Sequence, residues 1–326
     1  MRMLVLDGYG VTLAASHGAL VVREKGGGKR SIPLSEVDVV LVATSGVSVT
    51  SSAMRLLTAS GVEMVVLDHR GMPVSILYSS HYTRTPTTRR AQYEAYHNGL
   101  AQGIIREIAR AKIWNQMCTL SQFKPRAPRE VGSALAAMAE ALEQLDEAAG
   151  GGVEEARVRA MSLEAAAARA YWSGIAAVLP GDLGFDGRDQ DAPDPVNAAL
   201  NYGYGVLYGL AWRSLVLAGL DPYAGFLHVD RSGKPVLAFD YVEIFRAHAV
   251  DGPLVRLLLK GWRPGYAEGR LEPEARRRII QEVNRALESR IHGRRLEEAI
   301  RGNALELARG LRSGRVFRAW RGCEAW

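Results

Sequence analysis

The stretch SHYTRTPTTRRAQ, residues 80–92, divides the chain into two halves with different hydrophobic patterns. Before it, short apolar runs alternate with turn signals, and after it apolar residues recur at helical spacing. The stretch itself is polar, basic and interrupted by Pro86, as expected of a linker. We therefore predict an α+β two-domain protein with a small β-rich domain over residues 1–80, a linker over 81–92 and an all-α domain over 93–326.

The first eighty residues have the pattern of short strands rich in β-branched residues. The clearest runs are MLVLD (3–7), VDVVLVA (37–43) and VEMVVLD (62–68). GGGKR, residues 26–30, lacks the spacing of a phosphate-binding loop and is interpreted as a hairpin turn. SSAMRLLTASG, residues 51–61, is the exception and predicts a short helix capped by Ser51 or Ser52.

The second half has helical periodicity throughout. Ile104, Ile105, Ile108 and Ile113 share one face of AQGIIREIARAKIWNQM, and residues 158–179 are rich in alanine. Residues 179–195 form a polar loop with several Pro and Gly residues, of a length that is often functional. The glycines of NYGYGVLYG lack the spacing of a dinucleotide fingerprint, so we interpret them as sites of close helix packing.

Composition places the chain among ordinary globular proteins, with 48% hydrophobic and 23% charged residues. The first residues resemble a strand rather than a signal peptide, and no apolar run is long enough to span a bilayer. These features favour a cytoplasmic protein without a membrane segment. The chain has 2 cysteines, Cys118 and Cys323, and no CxxC pair, so the sequence predicts neither a zinc ribbon nor a disulfide framework.

Arginine is concentrated near the C-terminal end of a chain whose formal net charge is +6. The clusters include Arg276-Arg277-Arg278 and Arg294-Arg295. Because the planar guanidinium binds phosphate through two hydrogen bonds, this clustering predicts a polyanionic partner such as DNA. The alternative is a solvated face of amphipathic helices.

Three separate segments carry residues suited to a divalent cation. Glu164 lies on a small, apolar helix face, where a lone carboxylate is costly unless it is paired or bound to metal. Its alternative is a salt bridge, for instance with Arg157 or Arg169. His228 ends the apolar run YAGFLH and is either a ligand or a core histidine bonded to backbone.

The third segment, DYVE at residues 240–243, has two interpretations. It fits a capping box, with Asp240 as the N-cap and Glu243 reaching back. The same spacing places both carboxylates on one helix face, where Glu243 is available to a metal while Asp240 caps the helix. Arg246 lies three residues further along this face and either pairs with Glu243 or contacts a phosphate.

Four ordered blocks together resemble the CRISPR-associated endonuclease family, the catalytic subunit of the CRISPR spacer-acquisition integrase. They are E-x-x-x-A-R-x-Y-W from Glu164, N-x-x-L-N-Y-G-Y-x-x-L-Y from Asn197, A-G-L-D-P-x-x-G-F-L-H ending at His228, and F-D-x-x-E-x-F-R from Phe239. The resemblance implies a β-rich domain that forms a homodimer and a helical catalytic domain. It also implies a small ferredoxin-like CRISPR-associated partner protein.

The resemblance further implies roles for individual residues. The metal ligands are Glu164, His228 and Glu243, binding Mn²⁺ or Mg²⁺, with Asp240 and Tyr208 as further catalytic residues. We also expect Arg246, Arg84, Arg276 and Arg277 to contact DNA. The implied activity is insertion of short foreign DNA fragments, the spacers, into a repeat array by attack of a 3′-hydroxyl, in adaptive antiviral defence. Two alternatives remain, which are a general metal-dependent nuclease on branched or single-stranded DNA and a non-catalytic DNA-binding scaffold.

Overall fold

The computed structural model of this protein describes residues 2–69, 71–79, 85–147 and 151–325. The first half is β-rich and the second is helical, so the predicted α+β class is confirmed. Strands of the first half are β1 (Met3–Leu6), β2 (Val11–Ser16), β3 (Ala19–Arg23), β4 (Lys29–Pro33), β5 (Val39–Val42), β6 (Val47–Val49), β7 (Glu63–Leu67) and β8 (Pro73–Leu77). One helix, α1 (Ser51–Ala59), lies between β6 and β7.

These strands form two four-stranded sheets. The first has the order β1-β5-β7-β8, with β1, β5 and β7 parallel and β8 antiparallel to β7. The second has the order β4-β3-β2-β6, and a turn over residues 24–28 joins β3 to β4. The predicted hairpin turn is therefore confirmed, although Lys29 and Arg30 already belong to β4. Thr50, rather than Ser51 or Ser52, caps α1, because the helix begins at Ser51 and the Thr50 hydroxyl accepts the N–H of Ala53 at 3.3 Å.

The first sheet is covered on both faces, as expected of a largely parallel sheet. Val40 and Val42 pack with Leu57 of α1 and with the second sheet. Val39 and Leu41, which alternate with them, pack into the core of the helical half. A single layer of strands therefore joins the two halves of the protein.

The second half consists mainly of helices. They are α2 (Thr85–Glu94), α3 (Leu100–Ser121), α4 (Pro128–Glu147), α5 (Val153–Val178), α6 (Pro195–Leu217), α7 (Val236–Glu243), α8 (Gly252–Leu259), α9 (Pro273–Glu288) and α10 (Leu296–Arg312). The longest connections between them come immediately before and after α6. A π-helical turn, Ala247–Asp251, connects α7 to α8. Two short hairpins follow, β9 (Tyr266–Ala267) with β10 (Arg270–Leu271), and β11 (Arg290–Ile291) with β12 (Arg294–Arg295). Within the described ranges, none of the helices has the length and apolar character needed to cross a bilayer.

The expectation of a linker over residues 81–92 is wrong for residues 85–92, which form most of α2. This segment is polar, but two of its polar side chains, Thr88 and Gln92, are fully buried with partners. The Gln92 amide donates to the carbonyls of Asp221 and Ala224 at 2.9 and 2.8 Å and accepts the Asp221 N–H at 2.8 Å. The polar composition therefore reflects buried hydrogen bonds rather than solvent exposure.

Helix α6 holds the two halves together. The Arg213 Nε atom lies 2.6 Å from the Glu63 carboxylate of β7, and its NH1 donates to the Asp38 carbonyl at 2.7 Å. Gly205 lies directly against the carbonyl of Gly71, so a Cβ at this position would overlap that oxygen. A Cβ at Gly209 would be 3.1 Å from Val65. Close packing by these glycines is therefore confirmed.

A disulfide joins Cys118 near the end of α3 to Cys323 near the end of the chain, with a Cα–Cα distance of 6.0 Å. The sequence-based expectation of no disulfide is therefore wrong. The two cysteines are 205 residues apart, and only the tertiary fold brings them together. The segment that carries Cys323 also bonds to α3, because Gly322 donates to the Asn115 side chain at 2.8 Å and Asn115 donates to the Trp320 carbonyl at 3.0 Å.

Candidate active site

An ammonium group lies between two carboxylates at the centre of the helical half. The Lys112 Nζ atom of α3 is 2.5 Å from Glu164 Oε1 of α5 and 2.7 Å from Glu243 Oε2 at the end of α7. The structure therefore brings together two predicted ligands that are 79 positions apart in the chain. It also shows that the salt-bridge partner of Glu164 is Lys112 and not Arg157 or Arg169.

Sequence analysis missed Lys112. One signal was present, because Lys112, Asn115 and Gln116 are polar residues three and four apart in a helix whose other buried residues are mostly apolar. Such a polar stripe inside a long buried helix indicates either a hydrogen-bonded network or a site. The structure shows both, since Asn115 bonds to the C-terminal segment and Lys112 to the two carboxylates.

The charges at this centre stabilise one another. Burial lowers the pKa of Lys112, but the attraction of Glu243 and then Glu164 outweighs burial, so the pKa is raised. Burial raises the pKa of Glu243, and the charges of Arg246 and Lys112 outweigh that effect and hold the pKa at about 2. Lys112 and Glu243 are therefore both ionised at neutral pH.

Arg246 takes the first of its two predicted roles. Its NH1 group pairs with Glu243 Oε1, and its guanidinium lies over the ring of Tyr204 at 4.4 Å from the ring centroid. The Tyr204 hydroxyl donates to Asp251 at 2.7 Å, and the Tyr171 hydroxyl donates to the same carboxylate at 3.1 Å. This network fixes Arg246 in the wall of the site.

Asp240 does not cap a helix, contrary to the sequence-based interpretation of DYVE. Helix α7 begins at Val236, so Asp240 lies inside it, and its carboxylate is fully buried. The carboxylate instead accepts the backbone N–H groups of Phe226, Leu227 and His228 at 2.7, 2.8 and 3.0 Å. Asp240 therefore organises the loop that carries His228.

The same carboxylate holds the His228 ring. Asp240 Oδ1 lies 2.6 Å from His228 Nδ1, which leaves Nε2 as the ring nitrogen that faces away from Asp240. The hydrogen bond to Asp240 raises the pKa of His228 although burial opposes this shift, and the Glu243 charge contributes to it. The His228 side chain is 39% exposed, so it is not a core histidine.

Tyr208 is a residue of α6 that packs against α7. Its ring is buried and contacts Phe239, the neighbour of Asp240, with a centroid distance of 5.4 Å. Burial raises its pKa well above the ordinary value. Its other ring contact is with Trp212, at 6.1 Å. These contacts place Tyr208 against the helix that carries Asp240 and Glu243.

A cavity of about 750 Å³ opens beside Lys112 and Glu243. Its walls combine cationic, acidic and aromatic side chains, among them Arg169, Arg188, Arg246, Asp186, Asp189, Asp251, Trp172 and Tyr204. Gln116 also lines it and is 5% exposed, and its Oε1 atom has no hydrogen-bond partner in the part of the chain that the structure describes. A buried amide oxygen without a partner at a cavity wall is available to a ligand.

The loop over residues 179–195 forms one side of this cavity. Asn197 at the start of α6 holds it, because its amide oxygen accepts from Arg188 NH1 at 2.9 Å and from the Asp189 N–H at 3.0 Å. Its amide nitrogen donates to the Gly187 carbonyl at 3.0 Å. The predicted functional loop therefore has a defined conformation next to the candidate ligands.

The predicted DNA contacts differ in their surroundings. Arg276 donates to the Ala43 carbonyl at 3.4 Å and Arg277 pairs with Asp7, so both side chains of α9 connect the helical half to the β-rich half. Arg277 remains 55% exposed. Arg84 lies outside the described residues.

The donor set suits a hard divalent cation. Glu164 and Glu243 already share one cationic group, and an imidazole whose Nδ1 is bound by a carboxylate is the usual arrangement of a histidine ligand. The described residues contain no preformed cluster of three His, Cys, Asp or Glu side chains with metal-binding geometry. A divalent cation therefore fits the chemistry of these residues only if it replaces the Lys112 ammonium between the two carboxylates.

The fold combines a β-rich half with a helical half in which the carboxylates of Glu164 and Glu243 share the Lys112 ammonium. The family model described as CRISPR associated protein Cas1 matches residues 4–285, so the chain belongs to the Cas1 family. A CRISPR-associated endonuclease Cas1 from Saccharolobus solfataricus is 35% identical over 98% of each chain. Another from Pyrobaculum aerophilum is 39% identical over 86% of this chain and 89% of the relative.

Solved structures show the same fold at lower identity. A casposase bound to an integration product is 22% identical, with a TM-score of 0.86, over 99% of this chain and 95% of its own. A Cas1 protein from Thermotoga maritima is 21% identical, with a TM-score of 0.81, over 97% of this chain and 99% of its own. The fold is therefore shared over nearly the whole length of these proteins.

Proposed function

We propose that this protein is a metal-dependent DNA endonuclease and integrase that inserts short foreign DNA fragments into a CRISPR array. The observation that carries the proposal is the pair of carboxylates, Glu164 and Glu243, that share one cation beside a cavity with several arginines. Membership of the Cas1 family supports it. So does the fold shared with a casposase that was solved with an integration product.

Glu164, His228 and Glu243 would hold Mn²⁺ or Mg²⁺. The mixture of carboxylates with an imidazole favours Mn²⁺, since Mg²⁺ prefers oxygen ligands and water. When bound, the cation polarises a phosphoryl oxygen and stabilises charge on the attacking or leaving oxygen. Asp240 would orient the His228 ring for this role, and Lys112 would have to leave the space that it occupies between the two carboxylates.

The reaction is a direct transesterification. The 3′-oxygen of the fragment forms a bond to phosphorus at a repeat boundary, and the bond from that phosphorus to the 3′-oxygen of the target strand breaks. The attacking hydroxyl loses its proton and the leaving oxygen gains one, so no covalent enzyme intermediate is required. Lys112 and Arg246 provide positive charge in the cavity wall, where it stabilises the negative charge that builds up on the phosphate.

The proposed partners are DNA, a second copy of this chain and a small ferredoxin-like CRISPR-associated protein. Solved proteins of the same fold are described as a Cas6-RT-Cas1–Cas2 complex and a TtCas1-DNA complex, which supports DNA and another Cas protein as partners. Fragment and repeat array would both bind through phosphate contacts, which position DNA but carry little sequence information.

The test is alanine substitution at Glu164, His228 and Glu243. Each variant would be incubated with Mn²⁺, a labelled fragment with a free 3′-hydroxyl and a plasmid that carries a repeat array. We expect loss of joined products in all three variants and normal joining by Glu143→Ala, which removes an exposed carboxylate of α4. Mn²⁺ should also raise the melting temperature of the native protein, but less in Glu164→Ala, because a ligand bound only to the folded state stabilises it.

The products and the thermal shift separate the alternatives. Cut DNA without joined DNA would identify a general metal-dependent nuclease. DNA binding without any product, together with no Mn²⁺ effect on melting, would identify a non-catalytic scaffold. Normal joining by all three alanine variants would refute the assignment of the site.

A further inference from the structure

A second cavity of about 400 Å³ lies on the other side of the π-helical turn. Its lining includes Arg256, Lys260, Arg278 and Arg285 and only one carboxylate, Glu282. Glu282 is already shared, at 3.1 Å from Arg278 and 2.7 Å from Arg285. Arg256 and Lys260 have no carboxylate partner among the side chains the structure describes, so the cavity carries uncompensated positive charge.

The lining of this cavity contains a buried hydroxyl without a hydrogen-bond partner among the described residues. Thr119 of α3 is 1% exposed, and its hydroxyl has no hydrogen-bond partner within the described ranges. Arg256 lies close to it, since a Cβ at Gly252 would be 3.2 Å both from Arg256 NH1 and from the Thr119 methyl group. Gln122 fixes the guanidinium by accepting from NH1 at 3.0 Å. The unpartnered hydroxyl of Thr119 and the guanidinium of Arg256 therefore line one cavity, and both are donor groups of the kind that bind phosphate.

We propose that this cavity is a phosphate-binding site in which Thr119, Arg256 and Lys260 hold a phosphodiester of the DNA strand that enters the active site. The identification of DNA as the source of the phosphate rests on the proposed function. The phosphate site itself rests only on the groups in the cavity.

The position of the cavity explains why the strand would reach it. Ala247 lies in the walls of both cavities, and α3 lines the first with Lys112 and Gln116 and the second with Thr119 and Gln122. At 1.5 Å per residue, Lys112 and Gln122 are about 15 Å apart along the helix. A strand with one phosphate per 3.4 Å of duplex axis covers this distance in roughly four phosphates. The cavity therefore holds the strand a few nucleotides from the reacting bond.

DNA binding without chemistry tests the site. The affinity of the native protein for a labelled duplex would be measured in EDTA over a range of salt concentrations. Arg256→Gln should weaken binding about tenfold and lower the slope of log affinity against log salt by about 0.9. Thr119→Val keeps the charge and should weaken binding without a change of slope. Arg55→Gln, which removes an exposed arginine of α1, is the charge-matched control.

The outcomes are distinct. If Arg256→Gln and Thr119→Val behave like Arg55→Gln, the site is refuted. If inorganic phosphate raises the melting temperature of the native protein but not of Arg256→Gln, while DNA affinity is unchanged, a free phosphate compound and not DNA occupies the cavity, and the DNA assignment is refuted. Loss of strand transfer in the three alanine variants, together with weaker DNA binding by Arg256→Gln, would support both proposals. Absence of strand transfer by the native protein, with the Arg256 effect intact, would refute only the proposed function.

Discussion

The Asp240 carboxylate lies 2.6 Å from the Nδ1 atom of His228, and the two residues are 12 positions apart in the chain. The same carboxylate accepts three backbone N–H groups of the His228 loop, so one buried charge determines both the path of the loop and the orientation of the ring. A histidine ligand held in this way keeps a fixed tautomer and a fixed direction for its second nitrogen.

Asp240→Asn should therefore affect both stability and activity. An amide offers one acceptor oxygen in place of two, so at least one N–H group of the loop loses its partner, and we expect the free energy of unfolding to fall by about 1–3 kcal/mol. Strand transfer should fall as well, because the ring is no longer held. Urea denaturation measures the first effect and joined products the second. Asp191→Asn changes an exposed carboxylate and should alter neither.

Lys112→Met should destabilise the metal-free protein and strengthen its response to metal. Without the ammonium, Glu164 and Glu243 lose their shared cation, and breaking a buried pair of this kind costs about 3–5 kcal/mol. A divalent cation no longer has to displace Lys112, so Mn²⁺ should raise the melting temperature more in the variant than in the native protein. Lys124→Met, at an exposed lysine, is the control. A smaller Mn²⁺ shift in Lys112→Met would contradict this account of the site.

Gly205→Ala should be far more damaging than Gly209→Ala. The added methyl at position 205 overlaps the Gly71 carbonyl, which is backbone, whereas at position 209 it lies 3.1 Å from a methyl group of Val65, which has to move by only a few tenths of an ångström. In Gly205→Ala the methyl group would push α6 away from the β-rich half. We expect the free energy of unfolding to fall by about 1–3 kcal/mol or more, the range found for overpacked cores. Thermal unfolding of the two variants provides the comparison. Equal melting temperatures of the two variants would show that the backbone at Gly71 moves away from the added methyl at little cost in free energy.

Stability should decrease in mild acid because of His248. Burial lowers its pKa from 6.5 to about 4, and the charges of Arg256 on α8 and His292 in the β11–β12 turn act in the same direction. A histidine with a depressed pKa contributes stability that is complete above pH 6.5 and is lost as the pH falls toward about 4. The expected loss is about 1 kcal/mol per pH unit in this window.

His248→Asn should flatten this part of the stability profile, measured by denaturant unfolding at a series of pH values. His97→Asn, at an exposed histidine, should leave the profile unchanged. An equally steep loss of stability in His248→Asn would assign the effect to other groups.

Much of the fold was predictable from local pattern. The spacing of apolar residues over short segments distinguishes strands from helices. The α+β class and the hairpin at residues 26–30 therefore follow from the sequence. The boundary near residue 85 did not, because the buried side chains of Thr88 and Gln92 resemble solvent-exposed polar residues until their partners are known.

The site was predictable only in part, for the same reason. Glu164, His228 and Glu243 stand out as unusual residues in apolar surroundings. Lys112, however, is identified only when α3, α5 and α7 are packed together, and Asp240 fits a helix cap until the start of α7 is known. Roles that depend on distant contacts leave no local pattern.

The bond between Cys118 and Cys323 turns most of the helical half into a closed covalent ring. Glu164, His228 and Glu243 all lie within this ring, whereas Lys112 lies just outside it. A single break in the polypeptide anywhere inside the ring, for instance by a protease in the loop over residues 179–195, would leave both pieces attached to each other. The two pieces would separate only after reduction, so a single full-length band on a non-reducing gel is no proof of an uncut chain.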